Sequence, residues 1–179
     1  MLAFEYLRNC ALEAGFTHAA TLDASTLVLR DEVRDMCGAN TCGAYGHSWS
    51  CPPACGDLET LRGVIARYRE GILVQTVGEL EDAFDGEGMM ETEAAHKKHF
   101  AALHQRLIGE YPGLLALSAG TCRRCTRCTY PDAPCRFPDA CFSSMEAYGI
   151  LVLDACKANG LQYYYGPNAI AYTSCFLLA

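Results

Sequence analysis

Apolar residues at Phe4, Leu7, Ala11 and Ala14 recur at helical spacing, and Gly15 stands where such a helix would stop. Residues 16–22 then read as a strand, with a turn at 23–25. The apolar run 27–29 predicts a further short strand, and 31–36 a charged turn of helix. Leu58, Leu61, Ile65 and Tyr68 define an amphipathic helix, with Asp57 as its cap and Gly71 as its stop. Residues 72–77 predict a short buried strand, 79–88 an acidic solvated loop, and 89–108 a long helix with Phe100, Leu103 and Leu107 on its apolar face. A strand at 114–117 follows. Ser143 and Glu146 stand at capping-box spacing and predict a helix from there to Gly160. Residues 161–165 and 169–178 are strand candidates, joined by a turn at Gly166, Pro167 and Asn168.

Two stretches interrupt this pattern, 37–55 and 120–141. Both are rich in cysteine, and the glycines and prolines of the first exclude regular structure through most of it. No repeat, low-complexity tract or linker divides the chain. The expectation is therefore a single domain over 1–179, of α/β or α+β class. It is a sandwich with two inserted cysteine-rich metal-binding loops, and the pattern does not fix the order of the sheet.

Composition narrows the function. Half of the residues are apolar, which suits a globular core, and the net charge of -7 is the wrong sign for gripping phosphate backbones. Nucleic-acid binding is not expected. The first residues carry no basic stretch followed by a signal-like apolar run, and no apolar stretch is long enough to cross a bilayer. A cytoplasmic protein without membrane contact is the expectation. Its twelve cysteines then read better as metal ligands or catalytic groups than as disulfides, because a reducing compartment keeps thiols free.

The most specific signal is the triplet Cys122, Cys125 and Cys128, with two residues between successive cysteines. That spacing lets one tight loop set three thiolates at three corners of a cubane, and the fourth comes from further along the chain. Cys135 is the nearest candidate. Structural zinc is the alternative, but zinc sites usually pair two short cysteine hairpins across a longer spacer. The expected cofactor is thus a 4Fe–4S cluster, one or two per chain, with Zn as the alternative. Arg123, Arg124, Arg127 and Arg136 lie among these thiols, where they would stabilise a negatively charged cluster or simply be solvated. In the first loop, Cys37, Cys42 and Cys51 are more loosely spaced, and Cys55 could complete four ligands. Without Cys55, one iron would stay open to substrate.

Taken together, the two loops resemble an uncharacterised family of predicted metal-binding proteins of unknown function. The resemblance rests on Cys37, Cys42, Tyr45-Gly46 and Cys51-Pro52-Pro53. It rests also on Gly120, the cysteine triplet, Cys135-Arg136 with Pro138, and the stretch Ser144 to Ala147 with Gly149-Ile150. It implies metal or cluster binding at Cys37, Cys42, Cys51, Cys122, Cys125, Cys128 and Cys135, and implies no activity. Cys55 stands outside the family pattern.

Cys10, Cys141, Cys156 and Cys175 read as packed thiols, with Cys141 notable for its closeness to the second loop. His96, His99 and His104 read as surface or satisfied core residues, whereas His47 could support a cluster or serve as a ligand. Glu146 is expected to serve the capping box with Ser143, and half of the Tyr163–Tyr165 run to face inward. Three functions follow. One is an iron–sulfur redox protein delivering electrons to a redox partner protein or bound cofactor. Another is an enzyme using an open iron, and the third a zinc-stapled adaptor. The oligomeric state is left open.

Overall fold

The computed structural model describes residues 2–179. Helix α1 (Leu2–Glu13) leads through Gly15, at φ +108°, into strand β1 (His18–Asp23). Helix α2 (Asp31–Gly38) and helix α3 (Leu58–Ile65) bracket the first cysteine stretch, and the Asp57 carboxylate caps α3 by accepting from Thr60 N. Strand β2 (Glu70–Glu79), helix α4 (Gly86–Leu107) and strand β3 (Leu115–Leu117) follow. Helix α5 (Val152–Ala158) and strand β4 (Ala169–Leu178) complete the chain.

The four strands form one antiparallel sheet in the order β1-β2-β4-β3, with Leu73 opposite Cys175 and Ile72 opposite Phe176. Strand alternation sends neighbouring residues to opposite faces, and both faces are covered. Ile72, Val74, Phe176 and Leu178 meet α1 and α4 through Leu7, Phe100, Leu103 and Leu107. Leu73, Cys175 and Leu177 meet Leu58, Leu61, Ile65, Val152 and Cys156 on the other side. The mixture of helices with a wholly antiparallel sheet makes this an α+β domain.

Five expectations are corrected. Residues 27–29 form no strand: Leu27 and Leu29 are buried, Val28 is exposed, and the only pairing is the Leu29–Ile150 bridge. Gly71 does not stop a helix. It lies inside β2, where a Cβ would collide with the Phe176 carbonyl of β4, and α3 ends earlier at Ile65. The helix expected from 143 to 160 is two pieces. A turn of 3-10 helix over Glu146–Tyr148 ends at Gly149 with φ +78°, and α5 starts afresh at Val152. Residues 161–165 form no strand either. They are fastened through the side chain of buried Gln75, whose Nε2 donates to the Gln162 carbonyl (2.9 Å) and whose Oε1 accepts from the Tyr165 hydroxyl (2.8 Å). Tyr163 and Tyr164 accordingly remain exposed. The acidic loop is also shorter than expected, because Asp85 caps α4 at Gly88 N.

Residues 142–150 wrap the β3 edge and place the site. Ser118 N donates to the Ser143 carbonyl (2.8 Å), Met145 N donates to the Ser118 carbonyl (3.2 Å), and Ser118 bridges Ser144. Phe142 packs against Phe100 on one face of the sheet, while Met145 and Ile150 enter the opposite core.

Candidate metal centre

Loop one begins within the last turn of α2, which carries Cys37. Arg34, one turn earlier, donates to the Ala147 carbonyl (2.8 Å) and the Gly56 carbonyl (2.9 Å), tying α2 to the end of the loop and to the Glu146–Tyr148 turn. Its guanidinium also lies 3.9 Å from Cys55 Sγ. Cys37 Sγ faces the Glu146 carbonyl at 3.9 Å and Cys55 Sγ the Ala147 carbonyl at 3.6 Å, so both thiols address the same turn. Burial pushes both thiols up, the Arg34 charge opposes this, and the proximity of Cys51 adds to the rise. Cys51 thus lies near both Cys37 and Cys55, and Cys42 also lies near enough to Cys37 to raise it further. Cys42 is exposed, on a turn where Asn40 takes φ +55° and accepts from Tyr45 N through its side chain (3.0 Å).

Loop two leaves β3 through Gly120 and is held at its start by α4. Lys97 Nζ donates to the carbonyls of Ala119 (3.3 Å) and Thr121 (2.5 Å). The two loops are bonded to each other: Cys122 N donates to Ser50 Oγ (3.1 Å) and Trp49 Nε1 to the Ala133 carbonyl (3.2 Å). Cys51 Sγ lies 3.3 Å from Thr121 Oγ1, and the Trp49 ring meets Tyr130 edge-on at 4.9 Å.

The loop-two thiols differ in environment. At Cys128 burial acts to raise the pKa, but the N–H groups of Tyr130, Trp49 and Thr129 and the Ser48 hydroxyl outweigh it and lower the pKa overall. Trp49 and Ser48 belong to the other loop. Hydrogen bonds of this kind favour a thiolate sulfur and help set the potential of a cluster. Cys141 was expected to be a packed thiol close to the second loop. It lies beside Cys122 and Cys135, and burial together with those two thiols pushes it up to about 12. Its position just past the Pro138–Ala140 turn was the available signal. Cys125 is half-buried on the same loop.

Other expectations meet varied outcomes. Cys10, Cys156 and Cys175 are fully buried, as packed thiols should be. His96 is buried and satisfied, His99 reaches the Thr76 hydroxyl, and His47 is exposed. Glu146 does not cap with Ser143: it is Ser144 Oγ that accepts from Ala147 N (3.1 Å), because Ser143 is engaged in backbone pairing with Ser118. Glu146 keeps a solvent-exposed side, while the protein around its carboxyl pushes its pKa up. Among the arginines, Arg123 approaches Glu93 (3.4 Å), Arg124 lies over Phe137, and Arg136 donates to the Arg127 carbonyl (2.9 Å).

All twelve cysteines are free thiols. Their donor chemistry, soft sulfur in two neighbouring groups, fits a thiophilic metal or cluster. Among the described residues, no three His, Cys, Asp or Glu side chains converge closely enough to hold an ion as they stand, so binding would draw the loops inward. No helix among the described residues is long and apolar enough to cross a membrane.

No curated protein and no solved structure matches the chain. A family described as predicted metal-binding protein (DUF2284) matches it over residues 20–178, a span that includes both cysteine loops. The chain belongs to this family of predicted metal-binding proteins.

Proposed function

We propose that the metal is iron, held as a 4Fe–4S cluster by Cys122, Cys125 and Cys128 with Cys135 or its neighbour Cys141 as the fourth donor, and that the protein is a redox carrier. Cys37, Cys51 and Cys55, with Cys42 on the exposed turn, would hold a second metal group. The observation that carries the reading is the meeting of the loops. Cys122 N of loop two donates to Ser50 Oγ of loop one, Trp49 Nε1 of loop one donates to the Ala133 carbonyl of loop two, and Cys51 Sγ lies 3.3 Å from Thr121 Oγ1, so the thiols of the two loops are fastened side by side.

A bound cluster would supply one-electron chemistry. The chain's own residues would do the rest. Arg34 places a positive charge beside Cys55, and Arg123 and Arg124 flank the loop-two thiols, which offsets the negative charge of a thiolate-held group. Lys97 fixes the carbonyls that lead into Cys122 and so fixes where that thiol stands. The acidic surface of the whole molecule suits recognition of a basic redox partner.

The test is a count of iron, sulfide and zinc per chain in anaerobically prepared protein. Iron with sulfide is expected, with Cys125→Ser losing about one cluster's iron, whichever of Cys135→Ser and Cys141→Ser removes the fourth donor losing the same, and Cys156→Ala losing none. Zinc without sulfide would end the redox reading, and unchanged iron in Cys141→Ser would return that residue to a packing role.

A further inference from the structure

Beside Cys122 lies a half-open cleft of about 470 Å³, between α4 and the start of loop two. This is the size of a small-molecule site. Its apolar wall is Phe142, which packs edge-on against Phe100 (5.1 Å) and His104 (4.6 Å). Burial lowers the His104 pKa, so near neutral pH its ring is an uncharged hydrogen-bonding group.

Charge in the cleft is opposite to that of the molecule. Lys97, Arg123 and Arg124 line it against one carboxylate, Asp139, in a protein of net charge -7. Glu93, from α4, lies 3.4 Å from both Lys97 and Arg123, so a single carboxylate is shared by two cations. Arg124 has no carboxylate partner among the described residues. Its guanidinium lies 5.1 Å from the Phe137 ring centroid and is exposed to solvent. A cationic rim, an aromatic wall and a half-open volume on one cleft are the elements that recognise a flat anion.

The geometry points to a binding site for a small organic anion, an aromatic carboxylate or phosphate ester. Its charged group rests on Arg123 and Arg124 and its ring lies against Phe142. The site needs no metal to bind, so it goes beyond the redox reading. Where Cys122 does hold a cluster, the bound anion stands next to it.

Calorimetric titration of the anaerobic protein with benzoate, phenyl phosphate, inorganic phosphate and benzyl alcohol tests this, with iron counted on the same samples. Saturable binding is expected for at least one aromatic anion, with inorganic phosphate and benzyl alcohol weaker by about tenfold or more. The tighter of benzoate and phenyl phosphate identifies the anionic group. Arg124→Ala should weaken the aromatic anion about tenfold, and Phe142→Leu should weaken it while sparing inorganic phosphate. Arg124 is exposed, so its replacement leaves the core intact. Absence of saturable binding by both aromatic anions, or equal affinity in Arg124→Ala, overturns the site. Binding that persists in samples without iron leaves it standing and counts against the cluster alone.

Discussion

His96 is fully buried, its Nδ1 at 3.0 Å from Thr76 Oγ1 and its Nε2 at 2.7 Å from Ser174 Oγ. Burial, with His99 and Lys97 nearby, lowers its pKa from 6.5 to about 3. Between those values the unfolded chain binds a proton that the folded protein refuses, so stability is lost as pH falls through that window. Urea unfolding should show a loss of about 2 kcal/mol from about pH 7 to about pH 5, and His96→Gln should flatten that dependence. An equally steep profile in the variant would place the titration elsewhere. The histidine's satisfied state followed from its place on a long apolar-faced helix. The setting of the thiols was less legible. Cysteine spacing located the loops, but which thiols become neighbours depends on folding across distant segments. Cys141 meets Cys122 and Cys135 only because residues 142–150 wrap the β3 edge, and Cys55 approaches Cys37 only because Arg34 ties α2 to Ala147 and Gly56.

Elements with one apolar face and a cap were legible: α1, α3 with Asp57, the long α4, and β4 all stand close to where their periodicity puts them. Those that failed did so for a common reason, that partners outside the segment overruled it. Ser143 and Glu146 have the spacing of a capping box, but pairing with Ser118 claims Ser143 and the helix is cut at Gly149. Gly149 takes φ +78°, and a Cβ there would lie 2.7 Å from Leu58 Cδ2 and 3.0 Å from the Arg30 carbonyl. Gly149→Ala should therefore cost at least about 1–2 kcal/mol from the left-handed backbone alone, with the crowding added. Chemical denaturation measures it, and a neutral result would mean that the turn re-forms as helix. The run 161–165 misled in the opposite direction. Its aromatic residues have strand propensity, yet the run pairs with no strand, and the Gln75 side chain substitutes for a ladder.

For the molecule as a whole, both hydrophobic cores are built from the sheet and its helices, while the candidate ligands of both loops lie apart from them, with only Cys51 buried. Metal binding should then stabilise the loops more than the sheet. Stripping the metal with a chelator should leave the circular dichroism of the sheet and helices in place. Amide exchange should quicken in 37–55 and 120–141, with β2 and β4 still protected. Loss of protection throughout the sheet would show instead that metal and fold are one equilibrium. The α+β class was legible from element content. The order β1-β2-β4-β3 was not, because every strand but β1 is buried on grounds that fit several pairings. That order has a consequence for biosynthesis. The strand that joins β2 to β3 is β4, and it is made after every cysteine of both loops. Until residues 169–178 emerge, only β1 and β2 can pair, and β3 has no neighbour to anchor the start of loop two. A ribosome-bound chain thus carries its candidate ligand thiols ungathered, and any loading of them is expected to wait for the strand that closes the sheet.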